Sequence, residues 1–239
     1  ETINMISSVW FRGDNFFAAY NWMSGVSQNN AKSVVSPMQG FWVKVDDNYT
    51  SGSLIFNDSC RVHPDSSLFK QQVEQEVLRL ELLQVSSQIA DELVIGFWPQ
   101  AQQGRDAYDS PKYYANRYAE ISALVDDESM AIAGFNEPAS VALEIKATMG
   151  DECKVAIKEY SLPYHIFLED KANGELVDLK KQSYSFVYQA ITGRFVLHFK
   201  NTTGVETLQN DQINMYPNPA TDYIQIKSQQ EVQSVKILT

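Results

Sequence analysis

Apolar and polar residues alternate with a period of two along most of this chain. Leu78, Leu80 and Leu82 are separated by Arg79 and Glu81. Val141, Leu143, Ile145 and Ala147 form the clearest run, with Glu144 and Lys146 between them. Successive side chains of a strand point to opposite faces, so this alternation predicts strands with one buried face. Cys153, Val155 and Ile157 share such a face. Further strands are predicted at Phe41–Val45, Ser53–Phe56, Glu92–Trp98, Tyr164–Leu168, Glu175–Leu179, Tyr184–Tyr188 and Phe195–Phe199. Ile3–Phe11 and Phe16–Trp22 read as a hairpin, as do Ile121–Val125 and Met130–Ala133 around Asp126-Asp127-Glu128-Ser129. Asn173-Gly174 is a strong hairpin signal between two of these strands. The pattern gives about fourteen short strands before residue 200, which predicts an all-β, antiparallel sandwich of jelly-roll-like form. Leu68–Val77 is the single helix candidate.

The polar stretch 201–212 reads as a linker, which divides the chain into a β-sandwich module over 1–200 and a segment 213–239. Residues 1–35 belong to that module or end an upstream repeat. Gln100–Glu120 is a long polar connection carrying Tyr108, Tyr113, Tyr114 and Tyr118. Loops of this length are usually functional or packed by their own side chains, and the tyrosines predict packing.

Composition narrows the function. The 239 residues are 44% hydrophobic and 12% aromatic, enough to build a core. A net charge of -11 excludes a basic nucleic-acid face. No run approaches the ~20 apolar residues that span a bilayer. The chain opens at Glu1 and closes on what reads as a strand cut midway, so a piece of a longer precursor is expected.

Candidate chemistry is sparse. Cys60 and Cys153 are the two cysteines. They form either a disulfide across a long loop or two buried free thiols. Three scattered histidines, His63, His165 and His198, do not make a zinc site with them. His165 and His198 fall within strand alternation and read as structural. No nucleophile–base motif, P-loop or metal-ligand string is present, so no catalytic residue, metal or other cofactor is expected. Asp126-Asp127-Glu128 and Asp46-Asp47 read as solvated turns or as hard-oxygen cation ligands. Trp22, Trp42 and Trp98 are the candidate ligand-stacking aromatics, with core filling as the competing reading. Arg12-Gly13-Asp14 matches an adhesive tripeptide, and a turn between two strands explains it equally.

One string stands out near the end: Met215-Tyr216-Pro217-Asn218-Pro219-Ala220-Thr221-Asp222-Tyr223-Ile224-Gln225-Ile226. Each proline fixes its own φ, and Pro219 drives Asn218 toward extended geometry. The string resembles the opening of the C-terminal sorting domain of cargo of the Bacteroidetes type IX secretion system. Upstream, Pro37-Met38-Gln39-Gly40-Phe41-Trp42-Val43-Lys44, Arg61-Val62-His63 and Asp106-Ala107-Tyr108-Asp109-Ser110-Pro111-Lys112 resemble the β-sandwich that often precedes that domain. So do Leu168-Glu169-Asp170-Lys171 and Arg194-Phe195-Val196-Leu197-His198-Phe199. The resemblance implies a non-catalytic C-terminal region of a large secreted or cell-surface protein. It implies export through the periplasm and outer membrane, with the secretion machinery as partner. Tyr216, Pro217, Asn218, Pro219, Ala220, Thr221 and Asp222 would form the sorting motif of a truncated, Ig-like domain over 213–239. The alternative is a carbohydrate-binding accessory module, with surface glycans or other extracellular proteins as partners.

Overall fold

The computed structural model describes residues 2–61, 76–115, 119–201, 213–216 and 225–228. The chain forms two compact units, Glu1–Lys200 and Asn201–Thr239. The first opens with β1 (Thr2–Ile3), β2 (Met5–Arg12), β3 (Phe17–Asn21), β4 (Val26–Gln28), β5 (Trp42–Val45) and β6 (Ser53–Leu54). Next come β7 (Val77–Gln84), β8 (Ile89–Phe97), β9 (Ser110–Pro111), β10 (Glu120–Val125), β11 (Glu128–Phe135) and β12 (Val141–Lys146). β13 (Glu152–Tyr160), β14 (Tyr164–Asp170), β15 (Glu175–Asp178), β16 (Tyr184–Val187) and β17 (Phe195–Asn201) complete the series. In the second unit β18 (Ile213–Tyr216) pairs antiparallel with β19 (Gln225–Ser228). The protein is all-β. Among the described residues the only helical turn is a 3-10 turn at Asp58–Cys60, and no helix is long and apolar enough to cross a membrane.

Most of the strands form one large sheet in the order β15-β14-β17-β12-β10-β11-β8-β7-β13-β16, with β9 added on β11. Leu78, Leu80, Leu82, Leu143, Cys153 and Val155 all face a single core, as the alternation predicts. Strands from both ends of the sheet contribute to it. Phe186 of β16 packs 4.6 Å from Phe195 of β17, and the Tyr184 hydroxyl donates to Asp170 at 2.8 Å. The long sheet therefore curls until its ends meet, which gives a sandwich approaching a barrel.

Two features depart from a plain antiparallel sandwich. First, β11 lies parallel to β8, with Ile132 opposite Val94. Parallel neighbours need a long crossover, and residues 98–127 provide it. Second, the outer face of β7 and β8 is not solvated. A four-stranded sheet, β4-β3-β2-β5, covers it. Trp10, Ala19 and Val26 of that sheet pack with Val77, Val94, Ala131 and Ile132. Burial on both faces explains the continuous apolar run Leu93-Val94-Ile95, all fully buried. Arg79, expected on an open face, instead donates to Ser27 O beneath the small sheet at 2.6 Å.

The predicted hairpins form. β2 pairs with β3 and β10 with β11. Asp126 and Asp127 take φ of 50° and 62°, the left-handed pair that a two-residue turn between twisted strands requires. Arg12-Gly13-Asp14-Asn15 is the β2–β3 turn, and Arg12 lies over the Phe17 ring at 5.1 Å. Of the two readings for the cysteines the free thiols hold, although only one of them is buried: both are free. Cys153 is buried, and burial pushes its thiol up to about 11. Cys60 is exposed, because its 3-10 turn stands clear of the core. Most of the Leu68–Val77 helix candidate lies outside the described residues, and Val77 opens β7.

Candidate functional site

The connection after β8 threads between the two sheets and carries the buried polar residues Asp109, Ser110 and Lys112. Its first turn stacks Tyr108 on Trp98, with ring centroids 5.6 Å apart. Gly134 of β11 leaves room for this: a Cβ there would fall 2.6 Å from the Tyr108 Cβ. Asp109 then fixes the loop to the sheet. Its carboxylate accepts from the backbone N–H groups of Gly134 at 2.9 Å and Asp106 at 2.8 Å. Burial nonetheless pushes the Asp109 carboxyl up to about 7, against those two hydrogen bonds. On the other side, Asn21 Nδ2 of β3 donates to Asp109 O at 3.0 Å. The hydroxyls of Ser8 and Ser110 meet at 2.6 Å.

Pro111 and Lys112 follow. Trp10 Nε1 donates to Pro111 O at 3.0 Å, and Tyr113 stacks on the Trp10 ring at 4.5 Å. Between these anchors the Lys112 side chain turns inward, to 2% exposure, and donates to Asp91 Oδ2. Asp91, on β8, also accepts from Ile121 N at 2.8 Å. Asn29 Nδ2 and Gln28 Nε2, from the end of β4 and just beyond it, donate to its other oxygen at 2.9 Å and 3.3 Å. The neighbouring Glu92 accepts from Asn29 N at 2.6 Å and pairs with Arg79 and Lys158. A buried charge is stable only when paired and hydrogen-bonded, and these carboxylates are.

The acidic turns read as cation sites converge on Arg105. Its guanidinium bridges Asp47 at 2.7 Å and Glu128 at 2.6 Å, and the Arg105 backbone N–H donates to Asp126 at 2.8 Å. Among the described residues no group of three or more His, Cys, Asp or Glu side chains is arranged to hold a metal ion.

The three tryptophans are placed separately. Trp42, on the outermost strand of the small sheet, is 44% exposed and meets Phe17 edge-on at 5.5 Å. Trp22 follows β3 and is 37% exposed. Trp98 is partly buried under Tyr108. Among the described residues no ring contact joins any two of the three. A shallow cavity of about 210 Å³ opens on the face of the small sheet turned away from the large one, lined by Phe11, Phe16, Ala18, Asn30, Lys32 and Gln39. Of the string at the end of the chain, Tyr216 closes β18, whereas Pro217, Asn218, Pro219, Ala220, Thr221 and Asp222 lie outside the described residues, as does His63.

One row of side chains on the large sheet follows from no sequence motif. Ser140 Oγ lies 2.8 Å from His198 Nδ1, and His198 Nε2 lies 2.9 Å from Glu169 Oε2. The register that sets Val141 opposite Leu197 places Ser140 opposite His198. Glu169 comes from β14, on the other side of β17. Acyl transfer would also need donors aimed at a developing oxyanion. The row stands on part-exposed strand surface, away from the cavity on the small sheet.

Lys112, Asp91 and Asn29 escape sequence reading because they lie far apart in the chain and form no motif. Only Lys112 belongs to a string that the sequence singles out. No curated protein and no solved structure matches the chain. Residues 11–199 match the model of a family described as a domain of unknown function (DUF8693), and the chain belongs to that family.

Proposed function

We propose that this chain is a non-catalytic region of a large secreted or cell-surface protein, and that its end, from Met215, is a sorting signal read by type IX secretion machinery at the outer membrane. The observation that supports this most directly is the string Pro217-Asn218-Pro219-Ala220-Thr221-Asp222. It falls between two paired strands, Tyr216 opposite Gln225, in a unit separate from the large module. An isolated two-stranded pair is marginal in water, so the signal depends on further chain or a partner surface for its fold. Deleting the full-length precursor from Met215 onward is expected to abolish surface delivery and leave cargo in the periplasm. Unimpaired export of the deletion would end the sorting reading. Cleavage is expected within 201–212, and a mature surface chain that retains Tyr216–Ile226 by mass spectrometry would contradict it. The module carries no catalytic role in this reading. Turnover on glycan, peptide or ester substrates that Ser140→Ala abolishes would overturn that.

A second reading, a carbohydrate-binding accessory module, is favoured by the exposed rings of Trp22 and Trp42. Exposed indoles suit ligands with one apolar face. Binding on a glycan array that Trp42→Ala removes would support it.

A further inference from the structure

Lys112, Asp91 and Asn29 meet on one carboxyl group. Lys112 Nζ contacts Asp91 Oδ2, and Asn29 Nδ2 contacts Asp91 Oδ1 at 2.9 Å. The amide orientation of Asn29 follows from a second bond, since its Nδ2 also donates to the Phe17 carbonyl at 2.9 Å. The Lys112 and Asp91 side chains are only 2% and 4% exposed. An amine, a carboxamide and a carboxyl group therefore share one water-poor site.

We propose that Lys112 and Asn29 form an intramolecular isopeptide bond, with Asp91 carrying the protons. Within the buried contact a proton passes from Nζ to Asp91, leaving a neutral amine and a carboxylic acid. Nζ attacks Asn29 Cγ, and Asp91 passes its proton to Nδ2 while taking a second one from Nζ, the two nitrogens it contacts. As the tetrahedral centre collapses, its anionic oxygen re-forms the carbonyl, the protonated Nδ2 leaves as ammonia, and the ammonia takes the proton that remains on Asp91. The Nζ–Cγ bond forms, the Cγ–Nδ2 bond breaks, and ammonia leaves. Counted from lysinium and aspartate, the products are a neutral amide, aspartate and ammonium. The reaction needs no oxidant and no co-reactant.

Both partners are held in place by the elements they would join. Lys112 N donates to Ser129 O of β11 at 2.8 Å, and its neighbours Pro111 and Tyr113 are both fixed on Trp10. Asn29 sits at φ 52°, a left-handed conformation that asparagine tolerates, with its own N–H on Glu92. Preset positions of this kind turn an encounter into an intramolecular step. The bond would tie the small sheet covalently to the loop bound to the large sheet. It does not depend on the sorting role, and fits any setting in which the module is pulled or attacked by proteases.

The test is the mass of the purified protein under denaturing conditions. The intact chain is expected to weigh less than its sequence by one ammonia. Trypsin should fail to cut after Lys112 and should release a branched peptide joining the Asn29 and Lys112 segments. Lys112→Arg keeps a cation beside Asp91 but cannot attack, and Asp91→Asn removes the proton carrier. Both are expected at full sequence mass. A wild-type chain at full mass, cut normally after Lys112, overturns the proposal without reference to any variant. An ammonia loss that maps to another pair, including Lys112 with Gln28, overturns it as well.

Discussion

Asp170 and Asp91 are both buried aspartates that accept hydrogen bonds on both oxygens, yet one faces an arginine and the other a lysine. Arg194 grips Asp170 as a fork, Nε to Oδ1 at 2.8 Å and Nη2 to Oδ2 at 2.7 Å. Its guanidinium also lies 4.8 Å from the Phe195 ring centre and 5.1 Å from that of Phe186. Burial alone would raise the Asp170 carboxyl, but the bonds from Arg194 and Tyr184 outweigh it and hold the group below the usual carboxylate range. Burial, reinforced by Asp170, pushes the Tyr184 phenol up to about 12. This cluster joins β14, β16 and the start of β17, and so closes the large sheet. A guanidinium is planar, always charged and not a nucleophile. Lys112, at the junction of the two sheets, presents a compact amine beside a carboxamide. Equal burial thus produces a lock in one place and a reactive junction in the other, and the cation decides which.

The comparison can be broken most forcefully at the lock. Asp170→Ala leaves the Arg194 charge buried and unpaired, which is expected to cost about 3–5 kcal/mol. Urea unfolding should show a lower midpoint at an unchanged slope. A midpoint like that of the parent would mean that the ends of the sheet are held by packing alone. Arg194→Lys is gentler. An ammonium cannot span both oxygens, so roughly 1.5–3 kcal/mol of charged hydrogen bonding is expected to go. If thermal unfolding of this variant matches the parent, the difference between arginine and lysine is not what separates the two sites.

A third buried aspartate sharpens the contrast through pH. Asp109 titrates at about 7 in the folded chain, above its ordinary value. Its contribution to stability is therefore complete below the ordinary carboxylate range and is lost as pH rises toward about 7. Asp170, held low, behaves oppositely: its contribution is present above the ordinary range and is lost as pH falls through its folded value. Asp109→Asn is expected to flatten the decline in stability between pH 5 and neutrality, read by denaturant titration at several pH values. A slope unchanged by this variant would place the neutral-range titration elsewhere. The smallest effect is expected from Arg105→Ala. Its two ion pairs are part-exposed and screened by salt, so the variant should differ slightly from the parent at low salt and converge with it at high salt.

Much of the fold was legible in the sequence, and the parts that were not share a cause. The inward faces of Leu78–Leu82, Val141–Ile145 and Cys153–Val155 follow from alternation alone, and each is buried where expected. By identity alone Trp98 reads as a stacking ring, but Tyr108 covers it, and the sequence does not say which ring the loop tyrosine meets. Asn29 stands in a polar stretch that no motif marks, whereas in the fold its amide reaches Asp91, 62 positions away.

The sequence by itself determined most of the longer strands, the inward face of each clear alternation and where the hairpins β2–β3 and β10–β11 turn, but not the short β4 and β9. Pleat and turn geometry are properties of a few neighbouring residues, so they are written locally. Only the tertiary structure decided that β11 lies parallel to β8, that the small sheet covers the outer face of β8, and that an amine, an acid and an amide meet beneath it. Those outcomes depend on closing long loops and packing distant faces, and such pairings leave no period in the chain.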